Sequence, residues 1–306
     1  MRILVVGAGA TGGFFGGRLA RAGRDVTFLV RPGRAAVLRE RGLRIVGPDE
    51  RTVIEPTLVL ADQIDGPYDV ILLGVKAAGL DTAIADLAPA VGPDSRVVPM
   101  LNGMRHVDVL AERFGERALG AVAKVMTTID ENGDIARLGD LSSLSYGSLD
   151  GRPDPRLDAV HSGFSGAGFD TSISADIVGD MWSKWVFIAS IGTVTCLMRG
   201  TIGDVNAVPD GTGFAEAVVA ESAAVAAAAG HPVPDAELKA ISATVTAQGS
   251  PVASSTYRDL MAGLPVEAEQ IFGDLVARAR RLGVPTPLLD LATLHLRVHQ
   301  HRVEDR

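Results

Sequence analysis

The first residues with a visible chemical purpose stand near the start of the chain. Gly7, Ala8, Gly9, Ala10, Thr11 and Gly12 follow the apolar run Ile3-Leu4-Val5-Val6 and open a helical pattern. In a G-x-G-x-x-G of this kind the first glycine permits a tight turn. The second lets the backbone approach a pyrophosphate, and the third lets helix and strand pack closely. The helix N-terminus then offers N–H groups and a positive dipole end to the phosphates. A Gly-rich turn can also be purely structural, but a place between strand and helix is the context that points to a dinucleotide. A second candidate lies far down the chain, where Trp182-Ser183-Lys184-Trp185 sets a lysine in an apolar helix. Such a lysine either snorkels, covering core with its stem, or is partly desolvated and becomes a better proton donor near neutral pH.

Which dinucleotide is bound can be read at the end of the second strand. NAD enzymes usually place Asp or Glu there to hold the ribose hydroxyls. Here Asp25-Val26-Thr27-Phe28-Leu29-Val30 runs into Arg31, with Arg34 one helical step later. A guanidinium at that point suits a 2′-phosphate through charge-assisted bidentate bonds, the alternative being two solvated surface arginines. The expected cofactor is NADPH/NADP.

Two further stretches complete a pattern. Leu72-Leu73-Gly74-Val75-Lys76 ends one strand with a lysine, and Leu101-Asn102-Gly103-Met104 ends the next with an asparagine and a glycine turn. With the opening glycines and Trp182-Ser183-Lys184-Trp185, these resemble the ketopantoate reductases (2-dehydropantoate 2-reductases) over nearly the whole chain. The resemblance implies a role for each matching residue. Lys184 would protonate the carbonyl oxygen as NADPH delivers hydride to the adjacent carbon, and Glu267 would contact cofactor and substrate. Ser255 would bind substrate, Asn102 would touch both substrate and cofactor, and Lys76 would contact the cofactor. The chemistry is coherent, because hydride attack develops negative charge on oxygen and an ammonium stabilises and then protonates it. A carboxylate such as Glu267 would keep that lysine charged and oriented. The reaction implied is reduction of a small 2-oxo acid to the 2-hydroxy acid, as in the conversion of 2-dehydropantoate to pantoate in pantothenate and CoA biosynthesis.

The pattern is departed from in the substrate grip. The family carries asparagines four and eight residues after the lysine, where this chain has Ile188 and Gly192, and a further polar position aligns near Ile202. Positions i, i+4 and i+8 share a helix face, so Ile188 removes hydrogen bonds beside Lys184, and Gly192 is expected to leave room for a larger substrate. The segment before the glutamate is altered too, reading Gly263-Leu264-Pro265-Val266-Glu267. Arg199 and Arg258 are the nearest candidates for a substrate carboxylate, or else ordinary surface arginines. A ketopantoate-type reductase therefore stands beside two other readings: a related oxidoreductase for a less polar oxo substrate, and a non-catalytic NADPH-binding sensor.

Positioning these residues requires a particular set of elements. Strands are expected at Ile3–Val6, Asp25–Val30, Asp69–Leu73 and Arg96–Met100. Helices are expected at Gly12–Ala22, Arg34–Arg41, Leu80–Leu87 and Val107–Arg113. Strand–helix alternation at this spacing builds βαβ units and a doubly wound parallel sheet of Rossmann type. Ile45–Glu55 and Ala121–Tyr146 read as extra strands and hairpins, with turns at Gly47-Pro48 and Asn132-Gly133. From about residue 173 only helices remain, at Asp176–Ala189, Phe214–Ala229, Asp235–Ala247, Val266–Leu282 and Leu288–Gln300. The fold class is thus α/β plus all-α, with a cofactor-binding domain at 1–172 and a helical substrate and catalytic domain at 173–306.

Composition sets the remaining bounds. Of 306 residues, 47% are hydrophobic and 22% charged, enough to bury a full core. The net charge of -8 comes with no basic stripe, which argues against a nucleic-acid partner. The longest apolar stretch, Trp185 to Met198, is interrupted by polar residues and falls short of the roughly 20 needed to span a bilayer, so no membrane partner and a cytoplasmic location are expected. A homodimer is compatible with all of this. The single cysteine, Cys196, sits among apolar residues and reads as a buried, inert thiol.

Overall fold

Short runs of Val, Ile and Leu separated by amphipathic helices bury themselves best as a parallel sheet covered on both faces. The computed structural model, which describes residues 1–305, shows that arrangement in the first part of the chain. In order come β1 (Arg2–Val6), α1 (Ala10–Arg21), β2 (Asp25–Leu29), α2 (Pro32–Arg41), β3 (Leu43–Gly47), β4 (Glu50–Ile54) and β5 (Thr57–Val59). Then follow β6 (Tyr68–Leu73), α3 (Leu80–Leu87), β7 (Val91–Pro99), α4 (Arg105–Phe114), β8 (Leu119–Ile129), β9 (Ile135–Ser148), α5 (Arg156–Phe164) and β10 (Asp170–Ile173).

The first sheet has the order β5-β2-β1-β6-β7, and every pairing in it is parallel. Because side chains alternate across a strand, β1 feeds two cores. Ile3 and Val5 join Phe14, Phe15, Leu19, Val70 and Leu72 on one face, while Leu4 and Val6 join Ile71, Leu73, Ile84, Leu87 and Leu110 on the other. The chain leaves β1 toward β2 on one side and later returns to β6 on the other, so the strand order reverses at β1. In open α/β sheets that crevice at the carboxyl ends is where ligands sit. The second sheet runs β10-β9-β3-β4, with β8 paired antiparallel to β9 in a long ribbon. The ribbon turns at Asn132-Gly133, where the Asp130 carboxylate accepts the N–H groups of Asn132 and Asp134 at 2.9 Å.

Sequence periodicity missed β5, α5 and β10. They are short, and they lie in Pro-, Asp- and Gly-rich stretches where no period of 2 or 3.6 has room to develop.

The second part of the chain is helical: α6 (Ile177–Met198), α7 (Ile202–Asn206), α8 (Gly211–Ala228), α9 (Asp235–Val245), α10 (Ser255–Met261), α11 (Asp274–Leu282) and α12 (Pro287–Glu304). Helix α6 is apolar on nearly every side, which makes it a core helix. It is long and apolar enough to cross a bilayer, yet most of it is buried inside the structure. Cys196 lies within it, and burial pushes the thiol up to about 12, far from thiolate chemistry at neutral pH. The start of α12 is capped from another helix, Glu221 of α8 accepting the N–H groups of Leu288 and Leu289 at 3.1 Å.

The expected single helix over 266–282 is instead two pieces. Residues Ala268–Gly273 form a π-helical turn that runs into α11. A π turn inserts one extra residue into a helical ladder and leaves wider spacing between partners. The Trp185 indole N–H donates to the Ile271 carbonyl at 2.8 Å within it.

By contact density the chain divides into two compact units. One comprises Met1–Leu101 and His106–Ile177, and the other comprises Asn102–Arg105 and the chain from Val178 onward.

Candidate active site

The glycine loop after β1 has the geometry its sequence calls for. Gly7 adopts φ +93°, a left-handed value that side chains resist, and its N–H extends the ladder by donating to Leu29 O at 3.0 Å. A Cβ at Gly12 would collide with the Gly7 carbonyl, so the third glycine lets α1 sit directly on the turn. At Gly9 a Cβ would meet nothing within 4 Å. That open face is what a pyrophosphate lying against the backbone needs, and the amides at the start of α1 supply donors. The loop therefore fits a dinucleotide. Lys76 follows β6 as an exposed residue at the head of a short turn, Ala77–Gly79.

The two arginines after β2 part company. Arg31 is exposed at the N-cap of α2, and one of its guanidinium nitrogens lies 3.9 Å from where a Cβ of Gly79 would stand. Arg34 turns inward and donates to Ala8 O at 3.2 Å and Gly133 O at 3.3 Å. Burial pushes its pKa down. The Arg34 guanidinium is thus engaged by two backbone carbonyls, and Arg31 is the exposed one of the pair.

The other candidate residues belong to the helical unit. Lys184 is half-buried on α6, and Phe187 and Ile188, one turn on, share its half-buried character. Its neighbours Trp182 and Trp185 are buried, 4.9 Å apart by ring centroid. The hydrogen bond from Trp185 to Ile271 ties the lysine's helix to the π turn, and Glu267 is the N-cap of that turn. Asn102 is brought to the same place, its side-chain amide donating to Glu267 Oε2 at 3.3 Å. Gln270, one turn beyond Glu267, donates from Nε2 to the Asn102 carbonyl at 2.8 Å. Gly103 makes this approach possible, with φ +74° and a Cα so near the Gln270 carbonyl that a Cβ would collide with it.

Sequence reasoning missed Gln270. On an ordinary helix it would be one polar residue among several, and only the glycine after Asn102 signals that something packs there.

The remaining candidates also belong to the helical unit. Ser255 is exposed at the start of α10. Its neighbour Ser254 is the buried one, capping Tyr257 N at 2.9 Å and pairing with the Thr195 hydroxyl at 2.9 Å. Gly192 leaves no room, because a Cβ there would stand 2.5 Å from the ring of Phe272. The expected space for a larger substrate is filled by that phenyl group. Ile202 begins α7 and is fully buried. Arg199 follows the last residue of α6, about 22 Å along the axis from Lys184 at ~1.5 Å per residue, so it does not stand beside the lysine. Arg258 donates to Ala253 O at 3.0 Å.

A parallel sheet with a glycine cradle at its switch point, joined to a helical unit holding a half-buried lysine and an Asn–Glu pair, defines an oxidoreductase that acts on a CH–OH/C=O couple. Comparison with known proteins narrows the class. The family model "Ketopantoate reductase PanE/ApbA" matches residues 3–151, and its C-terminal counterpart matches residues 176–300. The chain belongs to the ketopantoate reductase family, whose members bind NAD(P)H. It is 32% identical over 98% of its length, and 99% of the relative's, to the uncharacterized oxidoreductase YkpB of Bacillus subtilis. It is 29% identical to a 2-dehydropantoate 2-reductase of Halobacterium salinarum, covering 94% of this chain and 95% of that one. Among solved structures, a 2-dehydropantoate 2-reductase from Geobacter metallireducens superposes with a TM-score of 0.87 at 25% identity, covering 97% of this chain and 99% of the other.

Proposed function

We propose that this protein reduces a 2-oxo acid to the 2-hydroxy acid with NADPH, the N-terminal part binding the cofactor and the helical part carrying the substrate and the proton donor. The observation that carries this reading is the Asn102–Glu267 hydrogen bond of 3.3 Å, closed from behind by Gln270. It sets an amide and a carboxylate in fixed relation on a π turn fastened to the helix of Lys184. NADPH, when bound, supplies the hydride. Gly7 to Gly12 hold its pyrophosphate, Arg31 faces its 2′-phosphate, and Lys76 lies at the carboxyl end of β6 as a further cofactor contact. Lys184 offers a proton to the carbonyl oxygen as negative charge develops there, leaving a neutral amine that regains its proton from solvent. Glu267 favours the charged form of a nearby ammonium, and Asn102 and Ser255 hydrogen-bond the substrate.

Ile188 favours a second reading of the substrate. Half-buried one turn from Lys184, it offers no hydrogen bond, so a hydroxyl placed against it would lose its water without replacement, costing roughly 1–3 kcal/mol. A 2-oxo acid less hydroxylated than 2-dehydropantoate suits that surface better. The test is NADPH consumption across a panel of 2-oxo acids. Reduction of none of them would overturn the enzyme reading, and fastest turnover of 2-dehydropantoate would overturn the second reading while supporting a role in pantothenate synthesis.

Cofactor choice has its own check. Arg31→Ala is expected to weaken NADPH by roughly 1.5–3 kcal/mol, the range for a charge-assisted hydrogen bond, and to leave NADH nearly untouched. Calorimetric titration of both cofactors measures this, and equal losses would remove Arg31 from the 2′-phosphate.

A further inference from the structure

The amides of a phosphate cradle can point at a ligand only if its carbonyls are held elsewhere, because a buried carbonyl without a partner costs free energy and pulls the backbone round. In this loop three consecutive carbonyls each have a named donor. Gly9 O takes the N–H of Gly13 at 2.8 Å, the first bond of α1. Ala8 O takes Arg34 Nη2 at 3.2 Å, and Ala10 O takes the Thr127 hydroxyl at 3.2 Å. The last two donors are side chains, and both depend on the β8–β9 ribbon. Thr127 is on β8 itself, and Arg34 extends its other nitrogen to Gly133 O at the ribbon's turn.

The ribbon is fit to serve as a support. Its turn is fixed by the Asp130 carboxylate, and Asp134 pairs with Arg41 at 3.2 Å and Arg44 at 3.4 Å. Ile135, the first residue of β9, lies so close to α1 that a Cβ at Gly13 would stand 2.5 Å from its Cδ1.

We infer that the β8–β9 ribbon is a buttress for the dinucleotide cradle, and that Arg34 and Thr127 are positioning residues which aim its amides at the pyrophosphate. Arg34 acts through the loop and does not read the 2′-phosphate. A planar guanidinium can bridge two carbonyls in fixed directions, which an ammonium cannot. The inference rests on the reading of the cradle as a dinucleotide site.

Its test exploits the fact that NADPH and NADH share the pyrophosphate and differ at the 2′-position. Arg34→Ala is expected to raise the Kd of both cofactors by the same factor, roughly tenfold. Arg34→Lys, which keeps the charge but loses the fork, is expected to follow it. Thr127→Val, nearly isosteric, is expected to weaken both cofactors in parallel by roughly threefold. Binding is measured by calorimetry well below each variant's melting temperature, so a loss of stability alone would leave Kd in place. Loss of NADPH alone in Arg34→Ala, or full rescue by Arg34→Lys, would make Arg34 a phosphate ligand and overturn the inference. Unchanged Kd values for the arginine and threonine variants would overturn it as well. Should Arg34→Ala fail to fold, Thr127→Val decides alone. Failure of the unmodified protein to bind either nucleotide would sink the cradle reading itself, an outcome distinct from all of these.

Discussion

Lys184→Met is expected to fold, to bind NADPH with unchanged affinity, and to lose about two to four orders of magnitude in turnover, the range for removing a general acid. The side chain is half-buried on α6 between two buried tryptophans, so an apolar replacement of similar length keeps the packing and removes only the proton and the charge. The measurement is single-turnover oxidation of bound NADPH by the best substrate of the 2-oxo acid panel, with cofactor affinity determined separately. A snorkelling lysine would tolerate the change, and turnover within a few fold of the parent would withdraw Lys184 from the chemistry.

Gly192→Asn is expected to destabilise the helical unit by about 2–6 kcal/mol, the sum of overpacking against Phe272 and of burying an unpaired amide. The Cβ would stand 2.5 Å from a ring that is itself fully buried, and the ring belongs to the π turn that Trp185 holds in place. The loss is measured by chemical denaturation of the purified variant. The effect bears on substrate choice, because a pocket restored by asparagines at 188 and 192 together would fail by unfolding and not by selectivity. Ile188→Asn alone is the informative change. Parent-like stability of Gly192→Asn would mean that Phe272 swings away and that the room expected from the sequence exists.

How much could be read in advance differs between the two halves. In the first, strand and helix periods are clean, Gly7 and Gly12 stand where only glycine fits, and the cradle followed from spacing and its place between strand and helix. Arg34 could not be told from Arg31 in advance, because an arginine near a strand end carries no mark of direction. Whether it faces a ligand or two carbonyls is settled by a hairpin turn about a hundred residues away. In the second half, the helices were legible but the π turn was not, since 266–282 has a helical composition interrupted only by Gly273 and the wide turn is imposed by packing. The same blindness hid Gln270 and made Gly192 look like a gap. A missing side chain on one helix says nothing until the neighbouring helix shows what fills the space. Lys184, Glu267 and Asn102 were grouped as candidates through family resemblance, because the three are far apart in the chain and no local pattern joins them.

The aromatic composition of α6 gives the protein an optical asymmetry. Its only two tryptophans are Trp182 and Trp185, both buried, tilted against each other at 39° and overlaid by the Arg278 guanidinium at 6.0 and 5.6 Å. Ultraviolet emission excited at the red edge of protein absorption therefore originates from one turn of one helix, the turn that carries Lys184. The N-terminal unit is dark at that wavelength. A fluorescence melting curve follows the helical unit alone, while far-ultraviolet circular dichroism reports on both, so any gap between the two curves separates the unfolding of one half from that of the other without a label.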